Sequence, residues 1–142
     1  MNHLAGRLEP AFDMASFEDL AASRREWIAS VLKPWCQAAP LVELRKAEQE
    51  WQDIAGRIDT DSTLWTWAWS RFPNLVHEGL SGVDETHEVR ITLSGGSTFT
   101  GYPDARKSQK GWLVLVATGG GSSGEELGPY SIDEILEVER IG

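Results

Sequence analysis

A glycine-rich segment is the first feature of this sequence that could carry chemistry. Gly119, Gly121 and Gly124 follow an apolar run with the spacing G-x-G-x-x-G, which in dinucleotide-binding proteins places a pyrophosphate at the start of a helix. Here Glu125 and a second glutamate come next, and two carboxylates would repel a phosphate. A Gly-Pro pair then prevents a long helix. The segment is therefore predicted to be a mobile hairpin loop, and no cofactor is expected.

The polar stretch between positions 77 and 88 is a second candidate, because it could be drawn as a metal site. It gathers two imidazoles and four carboxylates within twelve positions. None of them has the i, i+4 histidine pairing or the cysteine partner that makes a metal motif specific. A polar surface linker is favoured and no metal is expected. The residues are His77, Glu78, Asp84, Glu85, His87 and Glu88.

Nucleophilic catalysis has little support in the sequence. Cys36 is the only cysteine, and it follows Trp35 on a predicted helical stripe without an activating neighbour, which is typical of a buried structural thiol. A single thiol also agrees with a reducing cytoplasm, the predicted location. The sequence contains no P-loop motif. No catalytic residue is predicted, and a non-enzymatic function is favoured.

Seven tryptophans in 142 residues supply the candidate binding residues. Indole rings bury large areas and keep one N–H donor, so they suit both cores and interfaces. A helix over residues 64–72 would pack Trp65 and Trp69 and turn Trp67 away as an anchor for a partner, whereas a strand would align all three like an aromatic groove. Upstream caps and Pro73 favour the helix. The candidate binding residues are Trp65, Trp67, Trp69, Arg71 and Trp112.

Two helices are predicted upstream of these tryptophans. The first begins at Ser16 with a capping-box pattern, and its apolar stripe covers residues 17–35. Pro34 is predicted to kink or end this helix. A second helix beginning at Pro40 carries a narrow apolar seam, which suits an antiparallel helical hairpin and would also suit a homodimer. The seam consists of Leu44, Ala47, Trp51, Ile54 and Ile58.

From Glu88 onward the apolar period changes to two, which indicates β-strands. Two alternating runs flank a glycine turn and are predicted to form a hairpin. A continuous apolar run follows, as expected of a central strand that is covered on both faces. The predicted strands cover residues 89–93, 97–102, 112–116, 129–132 and 135–141.

These elements predict an α+β fold. A layer of two or three N-terminal helices is followed by a small antiparallel SH3-like or Sm-like β-barrel, or a curled sheet, of four or five strands. Residues 1–73 are the helical, tryptophan-rich region, 74–87 a polar link, and 88–142 the β module. We expect the β module and the helices to form one compact unit.

The order of turns and strands in the last 55 or so residues follows a known pattern. It consists of Val89–Leu93, Gly95-Gly96, Phe99-Thr100-Gly101, Trp112–Val116 and Ile132-Asp133-Glu134-Ile135. In these residues the module resembles Sm-like and SH3-type small barrels, and among them looks most like the Rof-like modulators of Rho-dependent termination. The Sm-like resemblance implies RNA binding, and the Rof-like one implies a protein partner. The helical, tryptophan-rich half lies outside this pattern, so no functional residue is carried over.

The charge of the chain bears on the choice between these partners. The formal net charge is −9, and both halves of the sequence are acidic. A nucleic acid would therefore be repelled, and the only tight basic cluster, Arg106, Lys107 and Lys110, is predicted to be a solvated loop. Acidic surfaces suit basic protein partners instead. The sequence shows no membrane span and no signal peptide, so no membrane partner is expected.

Two functions remain open at this point. The favoured one is a non-enzymatic protein-binding or regulatory module that engages a basic protein through its acidic, aromatic surface. The alternative is a small-molecule-binding protein or minor enzyme, with a pocket between the tryptophan segment and the β module near His77 or His87. RNA binding is a third and weaker possibility.

Overall fold

The computed structural model describes residues 17–56, 59–118 and 124–141. The predicted cap at Ser16, the seam residue Ile58 and the loop glycines Gly119 and Gly121 lie outside these ranges. The chain divides into two compact units, Met1–Trp35 and Cys36–Gly142. Each unit is described by itself, and the predicted hairpin between the first two helices, which would join the units, stays a prediction.

The first unit is helical over its described residues. Helix α1 spans Phe17–Trp27 and a π-helical turn spans Ile28–Leu32, and helix α2, Lys33–Ala38, begins in the first unit and ends in the second. Pro34 is predicted to kink or end the helix, and the second of these alternatives is wrong because the helix continues to Ala38. In the π turn the N–H of Lys33 reaches back five residues to the carbonyl of Ile28. This wider turn lies directly before the proline, where the regular ladder loses a donor, and such turns commonly accommodate that loss.

The second unit begins with short helical elements. Helix α3 spans Leu41–Gln49, α4 spans Trp51–Ala55, and α5 spans Thr66–Trp69 after a π-helical turn at Asp61–Trp65. A 3₁₀ turn follows at Pro73–Leu75. The predicted helix after Pro40 is thus interrupted at Glu50, where φ is −107° and ψ is 12°. Its apolar seam is confirmed over Leu44, Ala47 and Trp51, which are all buried.

Five antiparallel strands form the rest of the second unit, in the order β4-β3-β2-β1-β5. The first part of β2 pairs with β1 and its end pairs with β3, so β2 bends between the two halves of the sheet. The edge strands β4 and β5 are joined by a turn of only three residues, so the sheet must curl to bring its two edges together. The strands are β1 Val89–Leu93, β2 Thr98–Pro103, β3 Trp112–Val116, β4 Glu126–Ser131 and β5 Ile135–Arg140.

The α+β class and the curled sheet of five strands agree with the sequence prediction. Val89 and Ile91 are fully buried while Arg90 between them is exposed, which confirms the period of two in β1. In β3 the run Leu113–Leu115 is buried throughout, as predicted for a strand covered on both faces. The middle strand of the sheet, β2, has no such buried run, so the apolar pattern identifies β3 as an inner strand but does not give the full strand order.

The helices and the sheet of the second unit share an interior at Gly111, just before β3. Gly111 has a φ of +85°, a conformation that favours glycine. A Cβ at this position would overlap the Cδ1 of Leu41 and lie 3.2 Å from the Cζ3 of Trp65. The backbone before β3 therefore touches α3 and the tryptophan segment directly.

Asn74 covers a carbonyl on the outer edge of β5. The N–H of Ile141 donates to the Glu88 carbonyl, so Val138 lies at a position of β5 whose carbonyl points away from β1. The Nδ2 of Asn74 donates to that carbonyl at 3.0 Å. Because free strand edges invite pairing with other chains, this contact protects the sheet.

A remote carboxylate caps helix α3. Pro40 has no side-chain acceptor for the helix start, and the N–H of Leu41 donates instead to Oδ1 of Asp133, in the turn before β5, at 2.9 Å. We expect Asp133→Ala to lower the free energy of unfolding by about 1 kcal/mol, because an orphan helix donor loses its acceptor. Urea unfolding measures this loss. Asp133→Asn keeps an oxygen acceptor and should lose less, so equal losses in the two variants would contradict the cap.

Candidate functional site

Trp65 and Trp69 lie in the interior, with 3% and 1% of their surface exposed. The helical prediction for this segment is confirmed, and the alternative strand is wrong. The Nε1 of Trp65 donates to Oε2 of Glu48 at 2.9 Å, and Lys110 donates to the same oxygen at 3.0 Å. Glu48 thereby joins α3 to the tryptophan segment and to the loop before β3. Trp65 thus lies between α3 and the backbone before β3.

Trp67 is half-buried and turns away from the face that Trp65 and Trp69 share. Its ring packs edge-on against Trp51, with centroids 6.1 Å apart and planes at 64°. Trp51 in turn donates its indole N–H to Oγ1 of Thr63 at 3.0 Å. Trp112, the first residue of β3, is also half-buried. The five predicted residues therefore do not form one exposed aromatic face.

Arg71 makes three hydrogen bonds to main-chain carbonyls. Its Nη2 donates to Cys36 at 2.9 Å and to Ala39 at 2.8 Å, and its Nε donates to Ala68 at 3.0 Å. Burial lowers the pKa of Arg71, and the nearby carboxylate of Asp133 opposes that shift. A guanidinium at the carbonyl end of a helix satisfies groups that the helix leaves unpaired. Arg71 ties the end of α2 to α5.

Cys36 is fully buried, as predicted for a structural thiol. Burial raises the pKa of this thiol to about 12, although the positive charge of Arg71 acts in the opposite direction. The reactive thiolate is therefore not populated near neutral pH.

Asp84 is the buried member of the polar stretch between positions 77 and 88, with 1% of its surface exposed. Its Oδ1 accepts hydrogen bonds from the N–H and the hydroxyl of Thr86, at 2.9 and 2.6 Å. Its Oδ2 lies 3.5 Å from Nδ1 of His87, whose Nε2 faces the Asn74 carbonyl at 3.1 Å. These contacts hold Asn74 against β5. Across residues 17–56, 59–118 and 124–141, no group of three or more metal-ligating side chains is gathered at one place.

Asp84 predicts a specific dependence of stability on pH. Burial raises the pKa of Asp84, but the hydrogen bonds from Thr86 and the charges of His87 and His77 outweigh it, so the pKa lies below its usual value. The carboxylate therefore stabilises the fold above the ordinary aspartate pKa of about 3.9, and this contribution is lost as the pH falls through the lower folded-state pKa.

We expect Asp84→Asn to cost about 1–3 kcal/mol at neutral pH, and the difference from the parent chain to shrink between about pH 5 and about pH 3. Urea unfolding at several pH values measures that difference. Thr86→Val removes a hydrogen bond to the carboxylate and should reproduce part of the pH effect. A difference that stays constant with pH would contradict this role of Asp84.

The basic cluster near position 106 is largely paired with carboxylates. Lys107 forms an ion pair with Glu126, and Lys110 forms one with Glu48. Arg106 is exposed, and within the described part of the chain no acceptor bonds its guanidinium. A phosphate backbone would have to compete with these carboxylates for two of the three cations.

A groove lies beside this cluster, on the outer face of β2 and β3. It has a volume of about 480 Å³ and is open to solvent. Tyr102 and Val116 are cross-strand neighbours on the outer face of the sheet. The next pair, Pro103 and Leu115, is buried on the other face. Tyr102 is 38% exposed. We call this the Tyr102 groove, and its lining residues are Glu85, Tyr102, Pro103, Asp104, Arg106, Lys107 and Val116.

Two carboxylates of the Tyr102 groove are held in place by main-chain donors. The N–H of Ala105 donates to Oε2 of Glu85 at 2.9 Å. Oδ1 of Asp104 accepts the N–H groups of Arg106 and Lys107, at 3.1 and 3.2 Å. The sequence predicts a solvated loop in this stretch and gives no indication of a groove. The only local signal was an aspartate followed by backbone donors two and three positions later, the pattern of an Asx turn.

None of the helices among the described residues is long and apolar enough to span a membrane. Comparison of the chain with protein-family models, with curated proteins and with solved structures gives no match. The function of the chain is therefore inferred from its own geometry and charge.

Proposed function

We propose that this chain is a non-enzymatic protein-binding or regulatory module that engages a basic partner protein through an acidic surface. The observation that carries the proposal is the distribution of charge. Residues 36–142 hold 17 acidic and nine basic side chains, and most of the carboxylates are exposed. Complementary charge steers association and selects a basic partner.

The internal use of the polar groups supports a binding role over catalysis. Throughout the described ranges, every buried side-chain nitrogen or oxygen has a hydrogen-bond partner. Of the groups most suited to chemistry, the thiol of Cys36 is fully buried, and Asp84 and His87 hold Asn74 against β5. At Gly111, contact with Leu41 and Trp65 leaves little room for the pocket expected between the tryptophan segment and the β module.

We further propose that the curled sheet is a small barrel of SH3-like or Sm-like type, and that the chain acts like the Rof-like regulators. Support comes from the strand order, the bend in β2 and the short turn between the edge strands. The pairing of Lys107 and Lys110 with carboxylates favours a protein over RNA as the partner. A reducing cytoplasm suits the free thiol of Cys36.

This proposal is tested by chemical crosslinking in cells that produce the chain. Each protein recovered by crosslinking is then purified. We expect at least one purified partner with a basic surface to bind the purified chain in isothermal titration calorimetry. A reversed-charge variant, with the exposed residues Glu43, Glu50 and Asp53 replaced by lysine, should bind more weakly. If no purified partner binds, or if every partner is acidic, the proposal is wrong.

A further inference from the structure

The floor of the Tyr102 groove is a flat, partly apolar surface. Tyr102 and Val116 lie side by side on it, and Glu126 continues the same cross-strand row on β4. A half-exposed tyrosine ring next to an aliphatic side chain offers a face on which a planar cation can stack.

The walls of the groove present carboxylate oxygens that are already oriented. Glu85 uses Oε2 to accept the N–H of Ala105, and Asp104 uses Oδ1 to accept two N–H groups. Oε1 of Glu85 and Oδ2 of Asp104 accept no hydrogen bond from any residue that the structure describes. Because the main chain holds both side chains, a ligand that donates to these two oxygens loses little side-chain entropy on binding.

The cations of the groove do not cancel these carboxylates. Lys107 is neutralised by its ion pair with Glu126, on the far side of the floor. Arg106 is exposed, and the hydrogen bond that it gives to Asp104 comes from its main-chain N–H. Glu85 and Asp104 thus face a single unpaired cation, and their excess negative charge favours a cationic ligand.

We propose that the Tyr102 groove receives an arginine side chain of the basic partner. The identity of the partner rests on the proposed function, whereas the preference for arginine rests on the residues of the groove alone. A guanidinium is planar, carries five donors and stacks on aromatic rings, so it can lie on Tyr102 and donate to Glu85 and Asp104 together. A lysine ammonium lacks the flat face and the forked donors.

Nuclear magnetic resonance can test the groove without the partner. The ¹⁵N-labelled full chain is titrated at low salt with a short Ala-Arg-Ala peptide that is acetylated and amidated at its ends. We expect the amide signals of Glu85, Tyr102, Ala105 and Val116 to shift in a saturable way. The same peptide with citrulline in place of arginine keeps the shape and removes the charge, and it should bind at least about threefold more weakly.

Variants of the groove separate this proposal from general electrostatics. Glu85→Gln and Asp104→Asn each keep the oxygen that accepts the main-chain N–H, so the loop should persist while affinity for the arginine peptide falls about threefold to fivefold. Tyr102→Phe should bind like the parent chain and Tyr102→Ala more weakly. Glu137→Gln removes the same charge from the exposed face of β5 and is the matched control, with no expected change.

The Arg106→Gln variant tests whether the ligand of the groove is a cation or an anion. It should strengthen binding of the arginine peptide about twofold, because it removes a repelling charge. Any of three results would overturn the arginine site. Glu85→Gln and Glu137→Gln could lose affinity for the arginine peptide equally, or the citrulline peptide could bind as tightly as the arginine peptide. The third such result is weaker binding of the arginine peptide by Arg106→Gln. A purified partner could still bind the Glu85→Gln and Asp104→Asn variants with parent affinity, and with the same sensitivity to salt. That result would overturn the arginine site and leave the proposed function intact.

Discussion

Gly111→Ala is expected to lower the free energy of unfolding by about 2–5 kcal/mol. A non-glycine residue at a φ of +85° costs about 1–2 kcal/mol, and forcing a methyl group against Leu41 and Trp65 adds about 1–3 kcal/mol. Urea unfolding followed by tryptophan fluorescence measures this loss. The part of the loss that exceeds the backbone cost reports how closely the helices pack on the sheet of the second unit, because the methyl group would push the two layers apart.

Gly96→Ala is the matched control for this experiment. Gly96, in the turn between β1 and β2, also has a positive φ, +94°, but a Cβ there would meet no atom within 4 Å. It should lose only the backbone cost, about 1–2 kcal/mol. Equal losses at Gly96 and Gly111 would show that α3 and the tryptophan segment do not pack on the backbone before β3.

Arg71→Met is expected to lower the free energy of unfolding by about 2–4 kcal/mol. The substitution keeps much of the apolar stem but removes the donors to the carbonyls of Cys36, Ala39 and Ala68. Removing a charged donor from a partly buried carbonyl lowers the free energy of unfolding, and this substitution affects three such carbonyls together. The loss should appear as a lower midpoint of thermal and urea unfolding.

Two variants define what the loss at Arg71 means. Arg71→Lys keeps the charge but cannot reach three acceptors with one ammonium, so it should recover only part of the stability. Arg90→Met removes an arginine whose ion pair with Glu139, at 3.7 Å, is solvent-exposed, and it should change stability by less than about 1 kcal/mol. If Arg71→Met were as mild as Arg90→Met, Arg71 would be free to act as the binding residue that the sequence predicts.

Local pattern was enough to predict the fold class and most of the elements. The change from a helical period to a period of two at Glu88 marks the start of the sheet, and the buried run in β3 identifies a central strand. The helix around Trp67 follows from capping residues and a downstream proline. These signals work because each depends on residues that are close in the chain.

Contacts between distant residues were beyond the reach of such patterns. Asp133 caps a helix that begins 92 positions earlier, and Arg71 serves a helix end more than 30 positions away. Glu85 lies beside Asp104 because its carboxylate accepts the N–H of Ala105, 20 positions further along the chain. A side chain that looks free in the sequence is often a capping group, and the Tyr102 groove exists only once the strands pair.

The dependence of partner affinity on salt tests the central claim most directly. For a purified partner recovered by crosslinking, the dissociation constant would be measured by calorimetry at about 50 and about 300 mM sodium chloride. Binding between an acidic surface and a basic partner should weaken about tenfold or more at the higher salt, since exposed charges are then screened over shorter distances. An affinity that is unchanged or stronger at about 300 mM would contradict the acidic, protein-binding role of this chain.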